Sequence, residues 1–385
     1  MKKTAKTERA HRPRSQAPTG LKVLTVGGAM IDTIAIIESS AIERMALLNA
    51  GASFLLLEEG RKTEALEVST HCGGGAINAA VCYARLGHNA AVLAKLGEDR
   101  RASQIFACLD AEGISHRWAL KDPVAPTGAS VLVSSHDRNA AVFTFRGANT
   151  LLLPEDLADG AFDVDLVHIA NLSNQAAHCF PVIIEKAKAA GARVSANPGI
   201  RQLHGHGEAF RASLPQLDIL ALNRREADEV VSLLDRGTPD GDGGLDFPGA
   251  LAPPPLAARG LRFESRRMSV RAFCRALIAS GVETVVLTDG RDGAFAATAG
   301  RLIYCEAHEA HVAGTAGAGD AFVATFSAYA AAGSAPPEVA LRAAGLNAAA
   351  VLGHVDTQTG LMRKADIEAH FAGKKSIPNV IEWPL

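Results

Sequence analysis

Several common features are missing from this chain of 385 residues. It has no run of roughly 18 apolar residues, which excludes a membrane-spanning helix. Its six cysteines (Cys72, Cys82, Cys108, Cys179, Cys274 and Cys305) are scattered, with no CxxC pair and no disulfide-framework spacing. They read as reduced thiols in a cytoplasmic protein. Charge of one sign is also lacking: a net charge of -2 with pI near 6.7 leaves no basic field for nucleic acid or a membrane surface. The opening stretch MKKTAKTERAHRPRSQAPTG is basic, but no apolar segment follows it as in a signal peptide, so residues 1–20 read as a disordered, solvated tail. Three catalytic signatures are absent as well. GxxxxGK[ST] and GxSxG occur nowhere, and a GxGxxG beginning at Gly317 fails at Phe322. A P-loop NTPase, a nucleophile-elbow hydrolase and a nicotinamide enzyme are thereby disfavoured.

What is present from Leu21 onward is an alternation of short β-branched runs with Ala-rich helical stretches. The runs KVLTVGG, AAVLAKLG, DLVHIAN, ARVSANP, LDILALN and VETVVLTDG predict strands. Helical segments such as 78–86, 181–190 and 224–234 lie between them. This pattern predicts an α/β protein with a doubly wound, mainly parallel sheet whose ligands bind beyond the strand carboxyl ends. Two segments, about 33–71 and 127–146, break the alternation with strands and turns that no helix follows. They predict a small extra sheet, and SSHDRNA reads as a hairpin turn within the second. The Gly- and Pro-rich stretch 235–267 reads as a mobile insertion.

Chemistry concentrates in two glycine motifs. In HVAGTAGAGDAF, Gly317, Ala318, Gly319 and Asp320 lead into an apolar helix, so free N–H groups sit at a positive helix end where a phosphate can approach. An acid there either caps the helix or accepts a proton from an attacking hydroxyl. In CGGGAINAAVCYARLG, glycines 73–75 open a helix carrying Asn78 in its first turn. They either cradle a polar ligand or simply allow close packing of helix and sheet. Asn223 and Glu226 in NRRE fit a capping box as well as a ligand site. Asn347 fits an ordinary polar position on an amphipathic helix. His204 and His206 in HGHG have no third metal ligand at site spacing and read as an exposed loop.

Taken in order, the two glycine motifs resemble the signatures of the ribokinase-like (PfkB) carbohydrate kinases, a likeness that spans about residues 21–361. It implies a ribokinase-like fold with a small β lid formed by about 33–71 and 127–146. It also implies transfer of the ATP γ-phosphoryl group to an alcohol, usually a hydroxymethyl, of a small sugar. Asp320 is then the general base, and the backbone of Gly317, Ala318, Gly319 and Asp320 the anion hole. Substrate falls to Asp32, Gly74, Gly75, Asn78 and Arg146, with Thr127 and Gly128 on the lid strands. ATP falls to Asn223, Thr288, Gly290, Gly293 and Asn347, and Mg2+, through water, to Glu226 and Asn223. Assembly as a homodimer through the lid is implied too. The sequence departs from the family at Gly314, where relatives carry an Asp that ligates a monovalent cation, and at Ala316, where a Thr is common. Activation by K+ is therefore in doubt. A nucleoside kinase of the adenosine or inosine type and a sugar-binding sensor without catalysis are the alternative readings.

Overall fold

The computed structural model describes residues 20–38, 43–46, 53–56, 60, 62–134, 141–234, 245–247, 253–333, 335–373 and 377–385. The basic tail before Gly20, the turn at 135–140 and the first part of the Gly/Pro-rich stretch lie outside them.

All six predicted strand runs form strands. They make the parallel part of a nine-stranded sheet ordered Val380–Pro384, Arg301–Cys305, Ala294–Thr298, Thr284–Thr288, Ile219–Asn223, Arg193–Ala196, Leu166–Ile169, Lys22–Val26 and Asn89–Leu93. The first three in this order are antiparallel additions that the strand reading left out. Side chains alternate across each strand, so each contributes to two cores. On Lys22–Val26, Leu24 and Val26 join the core under the helices Cys179–Ala189, Ile200–Ser213 and Val270–Ala279, whereas Val23 joins the one under Gly75–Arg85 and Arg100–Ala111. Strands covered on both faces read as continuous apolar runs, as LVHI does with all four residues buried.

A second sheet has four strands in the order Ala141–Phe145, Gly128–Ser134, Met30–Ile37 and Ala65–Gly73. It is built from the two segments that broke the βα alternation. Ile34, Ile36 and Leu132 form a small apolar cluster on one of its faces, against which Ala316 and Val355 pack. This sheet is therefore seated on the loop that precedes Asp320.

Two expectations are corrected. In the 235–267 stretch, residues 255–259 form a helix and the strands Leu261–Phe263 and Arg266–Met268 pair with each other. Leu256, Leu261 and Met268 are wholly buried in the main core. The Trp383 indole N–H also donates to the carbonyl of Asp246 at 2.8 Å. Apolar residues spaced among the glycines and prolines supply the packing that composition alone conceals. The HGHG segment lies within the helix Ile200–Ser213, which kinks at His206, rather than in a loop.

Candidate active site

The helix Ala318–Ala331 begins with Gly317 in the left-handed conformation, φ 78°, and no side chain caps its first N–H groups. Glycine adopts that conformation freely, and a Cβ added there would lie 2.6 Å from Cβ of Thr357. The turn from Gly317 to Asp320 thus keeps its donors open at the positive end of the helix.

Asp320 stands partly exposed in the first turn of this helix. Asn78 Nδ2 donates to its Oδ2 at 2.7 Å, joining the two glycine motifs across 242 residues of sequence. The Asn78 carbonyl oxygen accepts from Thr357 Oγ1 at 2.8 Å and from Gln358 Nε2 at 3.2 Å. Because the Gln358 amide can only donate through that nitrogen, it fixes which way the Asn78 amide points. Asn78, expected to contact the ligand, is buried, and its amide positions Asp320. Desolvation raises the Asp320 carboxyl above the ordinary carboxylate range. The Asn78 hydrogen bond pulls it back, and the charge of Asp32 raises it further.

Glycines 73–75 bring backbone close to these acids. A Cβ on Gly73 would overlap Oδ2 of Asp32, and one on Gly75 would sit 3.6 Å from Oδ1 of Asp320 and 2.9 Å from Cβ of Ala170. Asp32 is buried and accepts a hydrogen bond from Ser130 Oγ. Burial raises its carboxyl, against the opposing pull of Ser130 and His71. Strand register places Thr144, Ser130, Asp32 and His71 side by side across the four strands of the small sheet. A polar row therefore lies on the sheet face that carries the seating cluster.

Beyond the helix start opens a cavity of about 1150 Å³, lined among others by Asn223, Thr288, Gly290, Gly293, Ala318 and Gly319. It is large enough for a nucleotide. Asn347 is not part of it. That residue is fully buried, its Nδ2 donating to Thr325 Oγ1 and its Oδ1 accepting from the backbone of Met362, each at 2.8 Å. Helical phase sets it apart from this cavity, although it was expected beside adenine. On the helix Pro337–Leu352, the cavity face is Leu341, Gly345, Ala348, Ala349 and Leu352, the i, i+4, i+7, i+8, i+11 stripe that excludes Asn347.

Asn223 and Glu226 form a capping box. Asn223 Oδ1 accepts from the N–H groups of Arg225 and Glu226, and Glu226 Oε2 accepts from the N–H of Asn223 at 2.9 Å. Glu226 nevertheless differs from an ordinary cap, because burial first, and the charge of Asp320 among lesser effects, push it up to about 7. A carboxylate held at such cost is a suitable neighbour for a cation. Among the described residues no group of three or more His, Cys, Asp or Glu side chains could hold a metal by itself. This donor set fits an ion whose ligands are mostly phosphate and water, as Mg2+ prefers.

A carboxyl whose folded value lies above its ordinary 4.5 contributes stability below that value, and this is lost as pH rises through about 7. Glu226→Gln stays neutral and keeps an oxygen for the Asn223 N–H. Calorimetry should show Tm raised by about 2–4 °C at pH 8, a gain that shrinks as pH falls toward the ordinary glutamate range.

Some contributors were not foreseen. Asn149 clasps the backbone of Ala29, accepting from its N–H at 2.9 Å and donating to its carbonyl at 2.8 Å. Its only signal was its place at the end of FRGAN. Thr127 is fully buried and bonds Asp99 and the N–H of Gly97, so it anchors the strand that follows it. Arg146 lines a separate small cavity with Lys95, Asn149, Asn171 and Ser173.

Residues 21–364 match the profile of the pfkB family carbohydrate kinases. A deoxyribokinase of Salmonella typhi is 25% identical over 300 residues, covering 77% of this chain and 85% of that protein. Among solved structures, an Arabidopsis thaliana ribokinase complexed with ribose and ATP is similar at TM-score 0.67 and 20% identity, over 91% of this chain and 98% of the other. A Burkholderia thailandensis nucleoside kinase in complex with inosine is similar at TM-score 0.66 and 19% identity, with 91% and 98% coverage.

Proposed function

This chain belongs to the pfkB family of carbohydrate kinases, and from that premise we propose that it moves the γ-phosphoryl group of ATP to a hydroxymethyl group of a small sugar. The observation that carries the reading is the position of Asp320. It stands at an open helix start, with the nucleotide-sized cavity on the side of Ala318 and Gly319 and the glycine platform of Gly75 on the other. Asp320 accepts the proton of the attacking hydroxyl, and its raised carboxyl makes it a stronger base than an exposed aspartate. Asn78 aims it. The N–H groups from Gly317 to Asp320 meet the negative charge that develops on the phosphoryl oxygens. Asp32, with Gly74 and Gly75 beside it, orients sugar hydroxyls. Thr288, Gly290 and Gly293 lie along the nucleotide. Glu226 and Asn223 would hold Mg2+ through water, and that ion supplies charge neutralisation at the β- and γ-phosphates. The small sheet acts as a lid that keeps water from the transferring group.

The seat of the monovalent cation is not retained in this reading. A Cβ at Gly314 would lie 2.8 Å from the carbonyl of His354, so the backbone leaves no room for an aspartate there. The test is ADP release across pentoses, hexoses and nucleosides, with K+ present or replaced by tetramethylammonium. Turnover of a sugar at equal rates in both salts is the expected result. Turnover confined to nucleosides would favour the nucleoside kinase reading, and no turnover of any alcohol would sink the proposal.

The outer face of the lid carries Val68, Val131, Phe143 and Phe145, of which Phe143 is 62% exposed. Register pairs Phe143 with Val131, and alternation puts Phe145 on the same side. A second copy of the chain covers this face in the proposed dimer. Light scattering should find Phe143→Lys at half the mass of the unsubstituted protein. A monomeric unsubstituted protein would refute the dimer.

A further inference from the structure

The cavity lined by Arg146 is separate from the large one beyond Ala318 and Gly319, and the two share no lining residue. A Cβ added to Gly75 would meet both Ala170 and Asp320, and Asn171, next to Ala170, lines this cavity together with Gly27 and Gly28 at the end of the first strand. A molecule whose hydroxymethyl reaches Asp320 therefore presents its distal end here.

The charges at this end are unbalanced. Lys95 is satisfied by Asp156 at 2.8 Å and the carbonyl of Leu151 at 3.0 Å. Arg146 has no such partner: among the described residues no carboxylate or carbonyl pairs with its guanidinium, although the residue is only partly exposed. Arg201 is near enough for its charge to act on Arg146; it stands in the first turn of the helix that starts at Ile200, whose cap Gly199 abuts the Asn171 amide. It too has no ion-pair partner among the described residues. Burial, and then the like charge of Arg201, lower the Arg146 guanidinium from its ordinary range. A second unmet donor is close by. Gln202 is 1% exposed, its Oε1 accepts from the N–H of Leu172, a cavity-lining residue, and its Nε2 has no partner. Leaving a buried amide such as that of Gln202 without an acceptor is costly in a finished structure.

Resting on the kinase reading above, we propose that the sugar carries an anionic group, a phosphate ester or a carboxylate, at the end opposite the reacting hydroxymethyl, and that Arg146 and Arg201 bind it. Guanidinium forks match the planar or tetrahedral oxygens of such groups. Arg146 follows the strand Ala141–Phe145 of the lid, whereas Arg201 stands on the main body. The cavity, at about 20 Å³, holds only a water-sized group with the lid seated as it is. An anion therefore has to be enclosed by lid movement, and the two arginines close on it from opposite sides.

The experiment compares kcat/KM for ADP release on three compounds that share a hydroxymethyl: fructose, fructose 6-phosphate and a 3-deoxy-2-ketohexonate. At least one anionic compound should exceed fructose by tenfold or more, and which one does so distinguishes phosphate from carboxylate. Arg146→Met should reduce that anionic-to-neutral ratio by about 10- to 100-fold, chiefly through KM, with Arg146→Lys restoring part of it. Arg201→Met, at an exposed position, repeats the test should the Arg146 variant fold poorly. Fructose turned over as well as both anions, or a ratio that survives both methionine variants, would overturn the proposal while leaving the kinase reading intact. No turnover of these or of any neutral sugar or nucleoside would overturn both.

Discussion

Asp320→Asn is expected to lower kcat by about 10²- to 10⁴-fold, the usual contribution of a positioned general base. The substitution is nearly isosteric, and an asparagine oxygen can still accept from Asn78 Nδ2, so geometry and fold should persist. What disappears is the capacity to take a proton. KM for ATP should stay within about threefold, because the nucleotide cavity is lined by Ala318 and Gly319 and not by Asp320. Initial-rate kinetics on the best alcohol from the screen would check both numbers. A variant that matched the unsubstituted enzyme would remove Asp320 from the chemistry and with it the proposed mechanism.

The second large effect is expected at Gly317→Ala. Alanine at φ 78° costs about 1–2 kcal/mol in backbone strain, and its Cβ would meet Thr357 Cβ at 2.6 Å. Thr357 cannot withdraw without releasing the Asn78 carbonyl, which it donates to at 2.8 Å. The overlap therefore propagates to the amide that aims Asp320 and displaces the open N–H groups together. Loss of one oxyanion donor lowers kcat by about 10²- to 10³-fold, and a similar fall is expected here. Thermal unfolding should show a small drop in Tm beside the large drop in rate. A stable variant with full turnover would mean that the turn does not hold the phosphoryl group.

The parallel half of the main sheet was legible because strands buried on both faces are continuous apolar runs. The strands Ala294–Thr298 and Arg301–Cys305 are just as apolar, yet they are joined by a two-residue turn, and a reading tuned to βα alternation passes over such a hairpin. Val380–Pro384 ends in a proline at the sheet edge and gives little signal. At the candidate site, local motifs singled out Asp320, Asp32 and the glycines, which the fold brings close together. They could not reveal that Asn78 spends its amide on Asp320, since that contact depends on tertiary structure spanning 242 residues. Asn347, expected beside adenine, lies buried on the other face of its helix from the large cavity, because a helix has two sides and a motif does not say which one faces the ligand. Thr357 and Gln358 sit in a loop with no periodicity, so nothing in the chain marks them as the support of the Asn78 amide.

The apolar seat of the small sheet also bears on how the enzyme responds to temperature. Ile34, Ile36 and Leu132 meet Ala316 and Val355 through hydrocarbon alone. If the sheet moves as the proposed lid, detaching it would wet that surface, so opening would carry a positive heat-capacity change and the closed form would lose some of its advantage on cooling. Ala316 sits next to Gly317, so the same thermal shift would slacken the turn proposed to cradle the phosphoryl group. An Arrhenius plot of turnover for such an enzyme bends downward in the cold as closure, and not only the chemical step, becomes harder to complete.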